Sequence, residues 1–377
     1  MLRRVRPDTP SQPRTAPGRR AGGRDAGATA LLVVGGLAAC GPTAPPAPPP
    51  PPAPTAPGFV VARPDPAVRS LNDVVVLGAD EAGIARAIAV GTDGAGLVWN
   101  GASWSREDTG TTADLESVSG VVDENGVETV FAVGAGGTVV LRSSTDGLWR
   151  ALPSPVTAHL FGVWAASATD AFAVGDDGTV LRWDGAALTR LVDEVLVDTG
   201  AENGERFPIA DPLKGVMGTG PTEVYAVGPR GGVWRFDGVA FVREDTQTSR
   251  PLVDVFTRAG VWAATTDGVL LRRRDDGWRD DEFVVPVPVF LQGVWARDDG
   301  DVFAVGLADE LFHFTGGAWA RVFIENDAEL RAIDGAVLPA GREIIAVGAG
   351  GRIVRGPLVV AQPGETPLSI RPLPEAP

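Results

Sequence analysis

From Leu71 onward, apolar and polar positions alternate in short runs, and the runs recur in groups of four. The third group is the clearest: Leu160 to Ala165, Asp170 to Gly175, Thr179 to Trp183, then Ala187 to Arg190. Each run has strand length, and glycine or aspartate separates one from the next. The first run predicts an innermost strand beside a central channel, and the fourth an outer one. Every group opens on Leu, two residues, then Val or Ile, at Leu71, Leu115, Leu160, Leu213, Leu252, Leu291 and Leu330. Successive openings lie 44, 45, 53, 39, 39 and 39 residues apart. Seven units of four strands predict an all-β fold, a seven-bladed β-propeller.

Inside the units one phrase repeats, as in Ala173-Val174-Gly175-Asp176-Asp177-Gly178 and Ala226-Val227-Gly228-Pro229-Arg230-Gly231. The glycine after the second strand is expected to supply positive φ for the turn. Outer-strand aromatics at Trp104, Trp149, Phe241, Trp278 and Trp319 are expected to fill the wide gaps between blades. The fifth unit departs from the phrase but keeps a turn at Asp267-Gly268, and the first carries an extra stretch, Asp80 to Arg86. Phe59 to Ala62 and Leu358 to Ala361 both read as outer strands. Phe59 to Ala62 is expected to close the ring by joining the last blade.

The N-terminal region has another character. Ala28 to Ala39 is a short apolar run behind an Arg-rich flank, too short to span a bilayer and shaped like a signal-peptide core. It ends Leu37-Ala38-Ala39-Cys40. This resembles the bacterial lipobox, which implies cleavage before Cys40 and lipidation of its thiol. Cys40 is the one cysteine, so after lipidation neither a disulfide nor a thiolate metal site remains. Residues 41–57 are mostly proline and predict an extended tether of roughly 50 Å. The expected organisation is a lipoprotein signal peptide over 1–39, the lipidated Cys40 and linker over 40–57, and the propeller over 58–377.

The formal charge is −15. Seven Arg and two Asp precede Cys40, so the remainder carries −20. Such a body repels nucleic acid and anionic headgroups. Lys214 is the single lysine, and the sequence offers no functional account of that bias.

Leu-x-Gly-Val-Trp-Ala, then Val-Phe-Ala-Val-Gly-x-x-Gly, then Asp-Gly and an aromatic resembles the repeats of bacterial exported propellers. These are similar to the photosystem II assembly-factor type and distantly to bacterial neuraminidase Asp-box repeats. The resemblance covers about residues 58 to 362 and implies a fold rather than a reaction. Ser144-Thr145-Asp146-Gly147-Leu148-Trp149 is the nearest Asp-box match, and in that family the box is a folding device.

No catalytic set presents itself. His159 and His313 fall on separate blades, a poor metal pair. No Gly-x-Ser-x-Gly elbow or phosphate-binding loop occurs. The Asp298-Asp299-Gly300-Asp301 cluster lacks EF-hand spacing. Tyr225, the one tyrosine, aligns with the core positions Phe131, Phe172 and Phe303. Arg206-Phe207-Pro208 matches a sialidase element only by coincidence. No cofactor or metal is expected. The long connection Val192 to Pro212 and the turns near Asp176 and Arg230 should share one face. The candidate binding residues are therefore Asp176, Asp177, Asp193, Glu194, Glu205, Arg206 and Arg230. The expectation is a monomeric, lipid-anchored scaffold in the cell envelope, at the outer membrane of a Gram-negative bacterium. It would bind an envelope protein or glycan, or serve an envelope assembly complex. The competing expectation is a polysaccharide hydrolase or lyase with acids and arginines converging at the channel mouth.

Overall fold

The computed structural model describes residues 58–79, 85–191, 195–196, 206–207 and 210–372, except for 259, 286–288, 299, 308–309, 316, 324–328, 339–340, 359–365 and 368. The signal peptide, Cys40 and the tether lie outside these residues, as does most of the extra stretch in the first unit.

Seven antiparallel sheets follow one another along the chain. The third blade runs Leu160–Ser167, Asp170–Gly175, Val180–Trp183 and Leu188–Arg190, within two residues of the sequence reading. Innermost strands touch from blade to blade, and that of blade seven (Leu330–Leu338) touches that of blade one (Leu71–Ala79), so the ring is closed. The fold is a seven-bladed β-propeller. Turns between second and third strands share one face with the connections between blades; this is called the upper face. The remaining hairpins form the lower face.

Closure follows expectation. Gly58–Ala62 pairs with the third strand of blade seven, Arg352–Leu358, as its fourth strand. Phe59 fixes it. Its ring is 1% exposed and meets Phe303 of blade six edge-on at 6.0 Å between centroids. Burying a ring of that size stabilises by about 2–3 kcal/mol. Of the other candidate outer strand, Leu358 ends the third strand of blade seven, and residues 359–361 lie outside the described residues. Thr366–Pro367 pairs with Gly58–Ala62, and Ser369–Pro372 then crosses to the outer edge of blade six.

Apolar side chains gather at the seams between blades. One cluster joins Val74, Ala87 and Trp99 of blade one to Ile345, Val347 and Ile353 of blade seven. Trp149, Phe241, Trp278 and Trp319 are buried, as expected of the outer wedges. Two seams add a fork. Glu107 of blade one accepts Arg142 Nε and Nη2 of blade two at 2.7 and 2.8 Å, and Trp149 Nε1 at 3.0 Å. Glu244 of blade four likewise accepts Arg273 Nε and Nη2 of blade five and Trp278 Nε1, each at 2.9 Å. A planar guanidinium fits this paired acceptance and an ammonium does not. That gives arginine a structural reason at these positions.

The repeated glycine has a different role from the one expected. Gly175 has φ −168°, which is extended backbone; positive φ falls on Asp177 (53°) and Gly178 (60°) instead. Gly175 is required because a Cβ there would lie 2.1 Å from the His159 carbonyl oxygen. That carbonyl accepts the Asp176 N–H at 2.9 Å. The same approach recurs at Gly91, Gly134, Gly306 and Gly348. In blade five Thr265 takes the glycine's place, fully buried, its hydroxyl accepting the Val269 N–H at 3.0 Å. Gly175→Ala is therefore expected to cost about 3 kcal/mol in urea denaturation. Gly220→Ala, where a Cβ meets nothing within 4 Å, should stay within about 0.5 kcal/mol.

Candidate functional site: the central channel and its upper mouth

The innermost strand of each blade has a free edge, and its N–H groups need acceptors. The chain supplies them from the preceding blade. Asp73 Oδ2 accepts the Ser117 hydroxyl and the Val118 N–H, both at 2.8 Å, while its Oδ1 accepts Val74 N–H. Ser117 and Ser119 accept the N–H groups of Val163 and Ala165 in blade three. Asp254 accepts Val255 N–H at 2.8 Å and Val294 N–H of blade six at 3.0 Å. Asp334 accepts Val76 N–H at 2.7 Å, carrying the pattern across the closure. Where this position is glycine instead, as at Gly215 and Gly293, the next innermost strand packs directly against it.

These strands enclose a cavity of about 810 Å³ on the axis. Its wall mixes apolar and polar groups, with Val163, Trp164, Met217 and Phe256 beside Asp73, Asp254 and Asp334. Burial pushes the Asp73 carboxyl up to about 7, against three hydrogen bonds that favour its charged form. Burial likewise lifts Asp254 to about 6 and raises Asp334, whose nearest cation is Arg258 at 3.9 Å.

At the upper mouth, Glu116, Phe161, Lys214 and Arg331 stand on the innermost strands or just before them. Lys214 Nζ lies 3.2 Å from the centroid of Phe161, and His159 stacks on that ring at 4.6 Å. Partial burial pulls the ammonium below the usual lysine value, opposed by Asp176 and Glu116. Several other cations of this face are paired: Arg69 with Asp93, Arg230 with Asp211, Arg250 with Asp267 and Arg331 with Glu329. Further out, Phe290 is 65% and Val284 50% exposed. The Phe290 carbonyl accepts the N–H of Leu307, which lines the cavity.

Of the residues expected from sequence, Asp176 and Asp177 occupy an upper-face turn, and Asp176 lies in the field of Lys214. Arg230 stands in the next such turn with φ 55°, held by Asp211. Asp193, Glu194 and Glu205 lie outside the described residues, as does the side chain of Arg206. The described backbone of the long connection, Val195–Leu196 and Arg206–Phe207, extends the outer edge of blade four. Sequence reading missed Asp73, Asp254, Lys214 and Phe290. A signal existed for the acids: two residues past the opening Leu, where other units place Ser, Gly or Ala, Asp73 and Asp254 stand out. Tyr225 is fully buried, its hydroxyl donating to Glu223 at 2.9 Å. Among the described residues no group of three or more acids, histidines or cysteines is placed to hold a metal.

Sheet order, closure and channel define a propeller similar to the photosystem II assembly-factor type. No family model matches the chain. YCF48 from Cyanidioschyzon merolae superposes with a TM-score of 0.60 at 16% identity, over 79% of this chain and 98% of that one. YCF48 bound to D1 peptide gives 0.57 at 16% identity, over 81% and 96%. In sequence, the immune protein Tsi7 of Pseudomonas aeruginosa is 29% identical over 170 residues, 43% of this chain and 54% of that protein. The chain thus spans about half the length of that curated relative.

The raised carboxyls give stability a definite pH dependence. Between about pH 4 and about pH 7 these carboxyls hold protons in the folded chain that the unfolded chain has released, so their contribution to stability falls as pH rises through that window. Asp254→Asn should flatten the urea-midpoint profile between about pH 4 and about pH 6, by at most about 1.4 kcal/mol per pH unit. An unchanged slope would mean Asp254 is ionised throughout.

Proposed function

We propose that this protein is a lipid-anchored scaffold of the cell envelope that docks a polypeptide on the upper face of its propeller. The observation that carries the docking face is the exposed Phe290, whose carbonyl accepts the N–H of Leu307 in the cavity wall, on the same face as Lys214. An exposed aromatic ring is the kind of anchor protein partners use. The solved YCF48 complex with a D1 peptide favours a polypeptide over a glycan as occupant. Anchoring rests on the sequence around Cys40, and the outer membrane of a Gram-negative bacterium is the location this reading proposes. Gly58, opposite Leu358, enters the ring at the lower face.

One observation favours the enzymatic alternative: Asp73 and Asp254 line a cavity with carboxyls titrating near neutrality, as general acids do. Against it, both carboxylates accept backbone N–H groups from two blades. Substrate-facing acids of a glycosidase pair need that capacity for water and the leaving group.

Crosslinking and pull-down from membranes tests the reading. Phe290→Asp and Lys214→Glu should each weaken capture of the partner, the former by about thirtyfold or about 2 kcal/mol. Val239→Asp, on a lower-face turn, should not. Equal capture by all three would remove the upper face from consideration. Cys40→Ser should leave a soluble or uncleaved protein, and unchanged membrane fractionation would defeat the anchor.

A further inference from the structure

We propose that the seam between blades six and seven is an acid-released latch on the closed ring, worked by His313. In blades three, four and seven an acid opening the second strand pairs with an arginine twelve residues on: Asp170 with Arg182, Glu223 with Arg235, Glu343 with Arg355. Blade six has Asp301 in the acid's place and His313 in the arginine's. It borrows its guanidinium from the neighbouring blade, where Arg342 Nε stands 2.8 Å from Asp301 Oδ2.

Asp301 and Arg342 compete for one atom of His313. His313 Nε2 lies 2.8 Å from Asp301 Oδ1 and 3.0 Å from Arg342 Nη2. A ring nitrogen carrying hydrogen donates to the carboxylate and offers the guanidinium no acceptor; a bare one does the reverse. In the neutral ring the Arg342 bond is therefore made only by the tautomer with its hydrogen on Nδ1. Protonation puts hydrogen on both nitrogens. It removes the acceptor for Arg342 and sets a like charge beside it.

The Asp301 carboxylate favours the charged ring and offsets part of this; the remaining neighbours do not. From the innermost strand of blade six Arg297 reaches Asp301 at 3.3 Å and is itself paired with Asp298. The neighbouring outer strand places Ala320 opposite His313. On its face the imidazole stacks on Phe303 at 4.1 Å, with the planes 2° apart, and Arg342 lies over the same ring at 5.3 Å. Phe303 is also the ring against which Phe59 of the closing strand packs. Loosening Arg342 thus acts on the two strands that complete blade seven.

Burial holds His313 below the usual imidazole value, with Asp301 opposing and Arg342 and Arg297 assisting. Its contribution to stability is full above about pH 6.5, where the unfolded imidazole is neutral, and is lost as pH falls through the lower folded value. The direction is opposite to that of the channel carboxyls, so substitution separates the two.

Hydrogen exchange read by mass spectrometry on the propeller at about pH 7.5 and about pH 5 tests the latch. Protection factors in Gly58–Ala62 and Gly341–Gly348 should fall about tenfold more than in Leu115–Val122 of blade two. His313→Gln, which stays neutral, should remove that difference, as should His313→Arg, which restores the residue of the other blades. A differential loss that persists in either variant overturns the proposal. With His159→Gln, His313 becomes the single imidazole. Its proton resonances should titrate below about 6.5, and titration at or above that value also overturns the latch, whether or not the His313 variants fold.

Discussion

Seven sheets meeting at an axis leave seven strand edges with no strand to pair with. These edges face a narrow cavity, where bare N–H groups would be costly. The chain answers with side chains of one blade that accept the N–H groups of the next. Asp73 and Ser117 do so at the start of the ring, Asp254 in its second half, and Asp334 across the closure. The remaining geometry follows from how close this brings the innermost strands. Glycine stands where a backbone must approach, and large aromatics stand farther out, where the blades diverge.

The same constraint shapes what the channel can do. Its acids are taken up by backbone amides, and burial raises Asp73 to about 7 and Asp254 to about 6. Such acids are better suited to holding a ring together than to turning over a substrate. The proposed recognition surface lies on the upper face, where Lys214 has an aromatic neighbour and Phe290 is exposed to solvent. The lower face receives the N-terminal strand at Gly58.

Blade seven shows how one element serves several purposes. Its fourth strand comes from the beginning of the described chain, sealed by Phe59 against blade six. A Cβ on Gly356 would strike Phe59 at 2.7 Å, so the glycine in the third strand makes room for that ring. The last described strand, Ser369–Pro372, covers the outer edge of blade six. The two ends of the described chain thus complete the outer edges of the last two blades.

The repeat itself was legible without coordinates. Strand-length apolar runs at a spacing near 40 residues allow few other arrangements, and Phe59 to Ala62 could be assigned to the last blade because an incomplete sheet needs an outer strand. The reason for the glycine in Ala-Val-Gly was not legible. It depends on a carbonyl sixteen residues earlier, as His159 is to Gly175, and local turn chemistry suggested a different cause. Asp73 and Asp254 looked like ordinary polar positions, because the N–H groups they cap lie 40 or more residues away on another blade. His313 read as a lone histidine in a strand. Only the packing of blade seven against blade six brings Arg342 to its ring nitrogen. Alternation and spacing are properties of consecutive residues and fix the elements. Which side chain meets which backbone across a seam is decided by the curvature of the closed ring.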